Sequence, residues 1–171
     1  TMTESPIQLV ETAVENGNLS QSAGDNIKAW LTEARYSEYV EQVKDHIAQE
    51  NWQKLDDVFW TIIPFGTGGR RGRMYPIGSN AINDRTVGES AQGLATYVLN
   101  HVKDNPEETQ ELSCGIAYDT RHNSRHFAEL CASIMVANGF KVYFLDDYRS
   151  TPELSFLVRQ KNCSCGIMVT A

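Results

Sequence analysis

The chain has 171 residues, 41% of them hydrophobic and 22% charged, with a formal net charge of −7. That length suffices for one well-packed domain with an appendage. No apolar run approaches the roughly 20 residues that span a bilayer, and no basic segment leading into an apolar one is visible near Thr1-Met2-Thr3, so a cytoplasmic location without membrane attachment is expected. The acidic balance argues against general nucleic-acid binding.

The charge is unevenly placed. Residues 1–64 hold eleven acids and four bases, whereas residues 65–171 hold eleven of each. The first stretch reads as helical and polar. Asp25 is a candidate cap for a helix carrying Ile27, Trp30 and Leu31, and Tyr39, Val40, Val43 and Ile47 recur at helical spacing. Trp52, Leu55, Val58 and Phe59 continue the pattern in a further short helix. Trp30, Trp52 and Trp60 are expected in its core. Residues 1–64 therefore read as a helical N-terminal extension, and residues 65–171 as the main domain.

Pro64 closes that extension and Phe65-Gly66-Thr67-Gly68-Gly69-Arg70-Arg71-Gly72-Arg73 follows. So many glycines demand an irregular backbone. Asn83-Asp84 can then cap a long helix with Val87, Ala91, Leu94, Ala95, Val98 and Val102 on one face, closed by Asn105-Pro106. From there apolar strands and helices alternate. The strands are expected near 114–118, 141–145 and 165–170. Ser124 is placed at the cap of a helix that ends at Gly139, a left-handed C-terminal position, and Thr151-Pro152 opens another. This β-α-β-α-β order predicts a three-layer α/β/α domain with a mainly parallel sheet. No internal repeat and no low-complexity tract is seen.

In such a sheet, ligands bind beyond the carboxyl ends of the strands. Asp119-Thr120-Arg121-His122-Asn123, Asp146-Asp147-Tyr148-Arg149-Ser150 and Thr170-Ala171 leave those ends. Because a strand of this kind needs a covering helix, the chain is expected to continue past Ala171. The glycine-arginine segment lacks the Gly-Lys-Ser/Thr of a Walker loop, and Arg71 stands where a dinucleotide fingerprint needs its third glycine. Two readings remain: a phosphate-binding loop of backbone amides and guanidinium groups, or a solvated basic turn. Cys114, Cys131, Cys163 and Cys165 read as reduced thiols, and Cys163-Ser164-Cys165 is too tight for a zinc pair. His122 with His126 reads as loop and surface, and Asp146-Asp147 as a strand-end cap or turn pair. No metal ligand is assigned within the chain.

Phe65-Gly66-Thr67-Gly68-Gly69-Arg70-Arg71-Gly72 resembles the Phe-Gly-Thr-Ser-Gly-x-Arg-Gly element of the α-D-phosphohexomutases, the phosphoglucomutases and phosphomannomutases. Gly68 stands where that family carries Ser or Ala, and Arg70 replaces an apolar residue. Asp119-Thr120-Arg121 with Ser124 is similar to the family's Asp-x-Arg-x-x-Ser segment, and Thr151-Pro152 to its Thr-Pro element. Gly166-Ile167-Met168-Val169-Thr170-Ala171 looks like the lead-in to a Thr-Ala-Ser-His-Asn-Pro catalytic loop.

The resemblance implies the first of four domains of an intramolecular phosphotransferase. Such an enzyme interconverts hexose 1-phosphate and 6-phosphate through a phosphoserine and a bisphosphorylated sugar. It also implies a small phosphosugar as partner, Mg²⁺ held by residues beyond Ala171, and a glucose 1,6-bisphosphate-type activator. Arg71 is the expected catalytic residue; Thr67, Gly68, Gly69, Arg71 and Gly72 form the expected substrate and phosphate-binding loop; Thr170 and Ala171 lead into the catalytic loop. Two competing readings are a non-catalytic phosphosugar-binding module of the same fold and a flavodoxin-like nucleotide binder. The latter fits poorly, because the segment after the first long strand is acidic and glycine-free.

Overall fold

A computed structural model of the chain describes residues 4–63, 72–107, 111–118, 123–148 and 163–169, the stretch 145–148 by its backbone. The chain forms two compact units, Thr1–Thr86 and Val87–Ala171.

The first unit is helical. It comprises α1 (Pro6–Glu15), α2 (Gln21–Thr32), a 3₁₀ turn (Ala34–Tyr39), α3 (Val40–Ala48) and α4 (Trp52–Phe59). Ser5 and Gln8 form a reciprocal capping box over α1, with Pro6 in its first turn. Helix α2 is capped by Ser20, whose hydroxyl accepts from Ala23 N–H at 3.2 Å. The carboxylate of Asp56 in α4 accepts from Ser20 N–H at 2.9 Å and from its hydroxyl at 2.8 Å. Asp25, the expected cap, lies inside α2 and accepts from Gln21 Nε2 instead. Ser20 has the extended backbone a cap needs, so the helix starts a full turn earlier.

The core of this unit centres on Trp30, stacked on Tyr36 at 4.6 Å and meeting the edge of Phe59 at 5.2 Å. Val43, Ile47, Leu55 and Val58 are buried around it. Trp52 packs against this core from the side. Trp60 does not belong there: it is 52% exposed. Helix α4 commits Leu55, Val58 and Phe59 to the core, and the next residue, rotated by about 100°, falls outside that face.

The second unit is built on a parallel sheet, as the alternating pattern predicts. Strands β3 (Ser113–Tyr118), β4 (Lys141–Tyr148) and β5 (Cys165–Val169) stand in the order β4-β3-β5. In the first unit, the two-residue strands β1 (Arg73–Met74) and β2 (Ala81–Ile82) pair separately, also in parallel. β3 is central and buried along its whole length. One of its faces, Cys114, Ile116 and Tyr118, shares a core with Ala91, Ala95 and Val98 of α5 (Asp84–Asp104) and with Ala128, Cys131 and Met135 of α6 (Ser124–Ala137).

Asn83 caps α5 as expected. Its side-chain oxygen accepts from Thr86 N–H and its own N–H donates to Thr86 Oγ1, both at 3.0 Å. Helix α6 ends in a Schellman motif: Phe140 N–H reaches Met135 O and Gly139 N–H reaches Val136 O, both at 3.0 Å, with Gly139 at φ +89°.

Several expectations need correction. Asn123, not Ser124, is the N-cap of α6; it sits at φ 69° and makes no side-chain cap bond, while Ser124 is the first helical residue and fully buried. β4 runs to Tyr148 rather than ending at 145. Asp146-Asp147 therefore lie within the strand, where the register jumps from Ala117↔Leu145 to Tyr118↔Tyr148. A bulge accommodates two acids that the sequence pattern assigns to a turn. A short repeat is also present: Ser113-Cys114-Gly115-Ile116 and Ser164-Cys165-Gly166-Ile167 are identical, and the register pairs Cys114 with Cys165, Gly115 with Gly166 and Ile116 with Ile167. The helix expected from Thr151-Pro152 lies outside the described residues.

Candidate active site

The glycine-arginine segment is anchored at both flanks. Before it, Ile63 N–H donates to Ser79 O at 3.0 Å, and Ser79 Oγ donates back to Thr61 O at 2.8 Å. After it, Gly72 leads into β1, and a β-carbon at Gly72 would lie 3.3 Å from the Ile63 side chain. Ile63 and Gly72 are therefore neighbours. Gly72 is the one residue of the expected phosphate loop among the described residues; Thr67, Gly68, Gly69 and Arg71 lie outside them. Arg73 is exposed.

The turn that follows is tied from beneath. Asn80 N–H donates to Val58 O at 2.9 Å and its side-chain amide to Asp57 O at 3.1 Å. Asn83 Nδ2 donates to Gly78 O at 3.0 Å, and Thr86 Oγ1 donates to Ala81 O at 2.7 Å. Ser79, Asn83 and Thr86 are buried polar residues with these bonds satisfied. Tyr75 is held through its hydroxyl by His46 Nε2 of α3, with Lys54 4.8 Å over its ring. Sequence pattern identifies the loop through its glycines. It does not reveal this scaffold, whose parts are tied across the chain by tertiary contact.

The second element is the carboxyl rim of the sheet. Tyr118 is in register with both Tyr148 and Val169, so the three strands end in one row. Asp119-Thr120-Arg121, Arg149 and Thr170-Ala171 follow that row in sequence; their own positions are outside the described residues. Tyr118 is buried at the rim, tilted on Phe144 at 5.5 Å. His126 is an exposed residue of α6 against Phe127, in keeping with a surface role; His122 lies outside the described residues. Among the described residues, no three of His, Cys, Asp and Glu stand together as a metal site, and no helix is long and apolar enough to cross a membrane. All four cysteines are free. Burial pushes the Cys131 thiol up to about 11, which keeps it protonated near neutrality.

A parallel sheet with flanking helices, its three strands ending in one row, defines an α/β domain. Residues 63–171 match the family described as phosphoglucomutase/phosphomannomutase, alpha/beta/alpha domain I, and the chain belongs to that family. It is similar to the phosphoglucomutase of Staphylococcus epidermidis, with 36% identity over 129 residues covering 75% of this chain and 22% of that protein. The phosphoglucomutase of Staphylococcus haemolyticus is 42% identical over 113 residues, covering 66% of this chain and 19% of its own. That of Staphylococcus aureus strain USA300 is 35% identical over 138 residues, covering 78% and 24%. The chain thus spans about a fifth to a quarter of the length of these relatives. No solved structure matches significantly.

Proposed function

We propose that the complete protein is a cytoplasmic phosphoglucomutase or phosphomannomutase that moves a phosphoryl group between the 1- and 6-positions of a hexose phosphate. On this reading residues 1–64 are a helical extension and residues 65–171 are the first domain. On the same reading its glycine-arginine loop binds phosphate, and the segment entered through Thr170-Ala171 leads to the serine that carries the transferring phosphoryl group. What supports the reading is the shared end row of β3, β4 and β5 at Tyr118, Tyr148 and Val169, the place where this fold class binds ligands.

The chemistry asked of the chain is positioning and charge neutralisation, since phosphoryl transfer spreads negative charge over the equatorial oxygens. Arg71 supplies a fixed positive charge and paired N–H donors. Thr67, Gly68, Gly69 and Gly72 let backbone N–H groups approach phosphate closely. Mg²⁺ is assigned to residues beyond Ala171; when bound, it neutralises phosphoryl charge. The described residues do not themselves form its site.

The test is turnover by the complete protein with glucose 1-phosphate and mannose 1-phosphate, given Mg²⁺ and a hexose 1,6-bisphosphate. Formation of the 6-phosphate supports the proposal. Saturable binding of the sugar phosphates without turnover would overturn it in favour of a binding module.

A further inference from the structure

The two identical tetrapeptides place two cysteines side by side. Cys114 and Cys165 are register partners in adjacent hydrogen-bonded parallel strands, and both belong to the core cluster on one face of the sheet. Neighbouring strands run about 4.8 Å apart, inside the roughly 4.4–6.8 Å between α-carbons that a disulfide spans. We propose that Cys114 and Cys165 are a redox-active dithiol that closes to an interstrand disulfide by exchange with a small-molecule disulfide.

The two thiols differ in access. Cys114 is fully buried, whereas Cys165 is partly exposed. Cys114 Sγ donates to Gly115 O at 3.7 Å and Cys165 Sγ to Ser113 O at 3.9 Å; the neighbouring Cys165, followed by burial, holds the Cys114 proton more tightly than usual, and the neighbouring Cys114 lowers the pKa of Cys165. Cys165 is thus the attacking sulfur. Its thiolate displaces one half of the small disulfide, breaking the S–S bond and forming a mixed disulfide. The departing thiolate takes the Cys114 proton. The Cys114 sulfur then attacks Cys165 Sγ and breaks the mixed disulfide; the second thiolate released takes up, through solvent, the proton that Cys165 gave up in forming its own thiolate. Two protein thiols are oxidised and one small disulfide is reduced to two thiols, so atoms and electrons balance.

Closure requires the β-carbons to approach to about 3.8 Å, closer than the strand spacing. Gly115 and Gly166, paired immediately after the cysteines, leave the backbone free to adjust there. Before them, Ser164 N–H donates to Ser113 O at 2.9 Å and Ser113 N–H to Ser164 Oγ at 3.3 Å, fixing the register. A bond that pulls two strands together is strained, and strained disulfides are readily reduced. The link is therefore a reversible one. Cys163 precedes this register, and Cys131 sits on α6 rather than on a paired strand, so neither competes as a cross-strand partner.

The experiment incubates the complete native protein with oxidised glutathione, quenches with acid, unfolds, alkylates and maps peptides without reduction. The expected result is a linked peptide pair joining Cys114 to Cys165, returned to two alkylatable thiols by dithiothreitol. Cys131→Ser keeps the link, and Cys165→Ser abolishes it and leaves Cys114 alkylatable. Three outcomes overturn the proposal: both cysteines alkylated as free thiols, a glutathione adduct on Cys165 that never progresses, or a link from either cysteine to Cys163 or Cys131. The wild-type map alone decides the matter if a variant fails to fold.

Discussion

Gly78→Ala is expected to be among the most damaging single-atom additions in the first unit. Gly78 has φ +116°, and a β-carbon there would lie 2.5 Å from Val58 O, 2.6 Å from Val58 Cβ and 2.9 Å from Val58 Cγ2. None of these atoms is the far end of a flexible side chain. Val58 O already accepts from Asn80 N–H, so moving it breaks a bond that ties the turn to α4. Backbone strain costs about 1–3 kcal/mol and overpacking about 1–3 kcal/mol more, giving roughly 4 kcal/mol in all. Two controls separate the terms. Gly139 also has positive φ, but a β-carbon there meets nothing within 4 Å, so Gly139→Ala should cost only about 1–2 kcal/mol. Gly93 is an exposed glycine inside α5 with open space around it; Gly93→Ala should stabilise by about 0.5–1 kcal/mol. The assay is urea unfolding of the purified chain. Tryptophan fluorescence reads the first unit, because Trp30, Trp52 and Trp60 all lie there; circular dichroism, to which helices of both units contribute, follows the whole chain. A Gly78→Ala loss no larger than that of Gly139→Ala would refute the steric argument.

Three further outcomes are expected. Arg71→Ala in the complete protein should lower turnover by about 10²–10³-fold, the scale of losing one preorganised charge-stabilising donor; near-wild-type kcat in steady-state assays would remove Arg71 from the site. Asn83→Ala loses the α5 cap and leaves Gly78 O without its side-chain donor, and should cost about 2 kcal/mol, measured by the same urea titration. The raised Cys131 pKa makes the folded state hold a proton that the unfolded state releases. Stability should therefore be unaffected at neutral pH and fall as pH rises from 9 towards 11, by about 1 kcal/mol between pH 9 and 10. Cys131→Val, melted in parallel, should lack that part of the pH dependence.

The sequence signals that hold are local ones. Asn83 before an amphipathic run marks the start of α5, and Gly139 marks the end of α6, because a cap is decided by a few neighbouring residues. The apolar runs at 114, 141 and 165 are legible as strands for the same reason. Features that depend on distant partners are not. Ser20 outcompetes Asp25 as a cap partly because Asp56, 36 residues away, receives its N–H and hydroxyl. Asp146 and Asp147 resemble a turn until the register of β3 shows the bulge. Cys114 and Cys165 look unremarkable until strand order pairs them, although their shared Ser-Cys-Gly-Ile setting was a visible signal. Trp60 shows the limit of composition: an aromatic next to a core helix was assigned inward, and geometry turns it out. Of the candidate site, the glycine-rich character of the loop is readable, but not the buried polar scaffold of Ser79, Asn83 and Thr86 beneath it.

The order β4-β3-β5 also dictates the sequence in which the second unit can assemble. β3 is the first strand of its sheet to be synthesised and the last to be completed. One of its edges is satisfied when β4 emerges, but the other waits for β5 and the Ser164 just before it, 51 residues beyond Ser113. Until then the growing chain presents a strand of six residues that are all buried in the finished fold, with one row of backbone donors and acceptors open to any extended segment nearby. Pairings this far apart in sequence close slowly. Translation pauses or chaperone contacts before Cys165 emerges therefore bear on how long this edge stays open during synthesis.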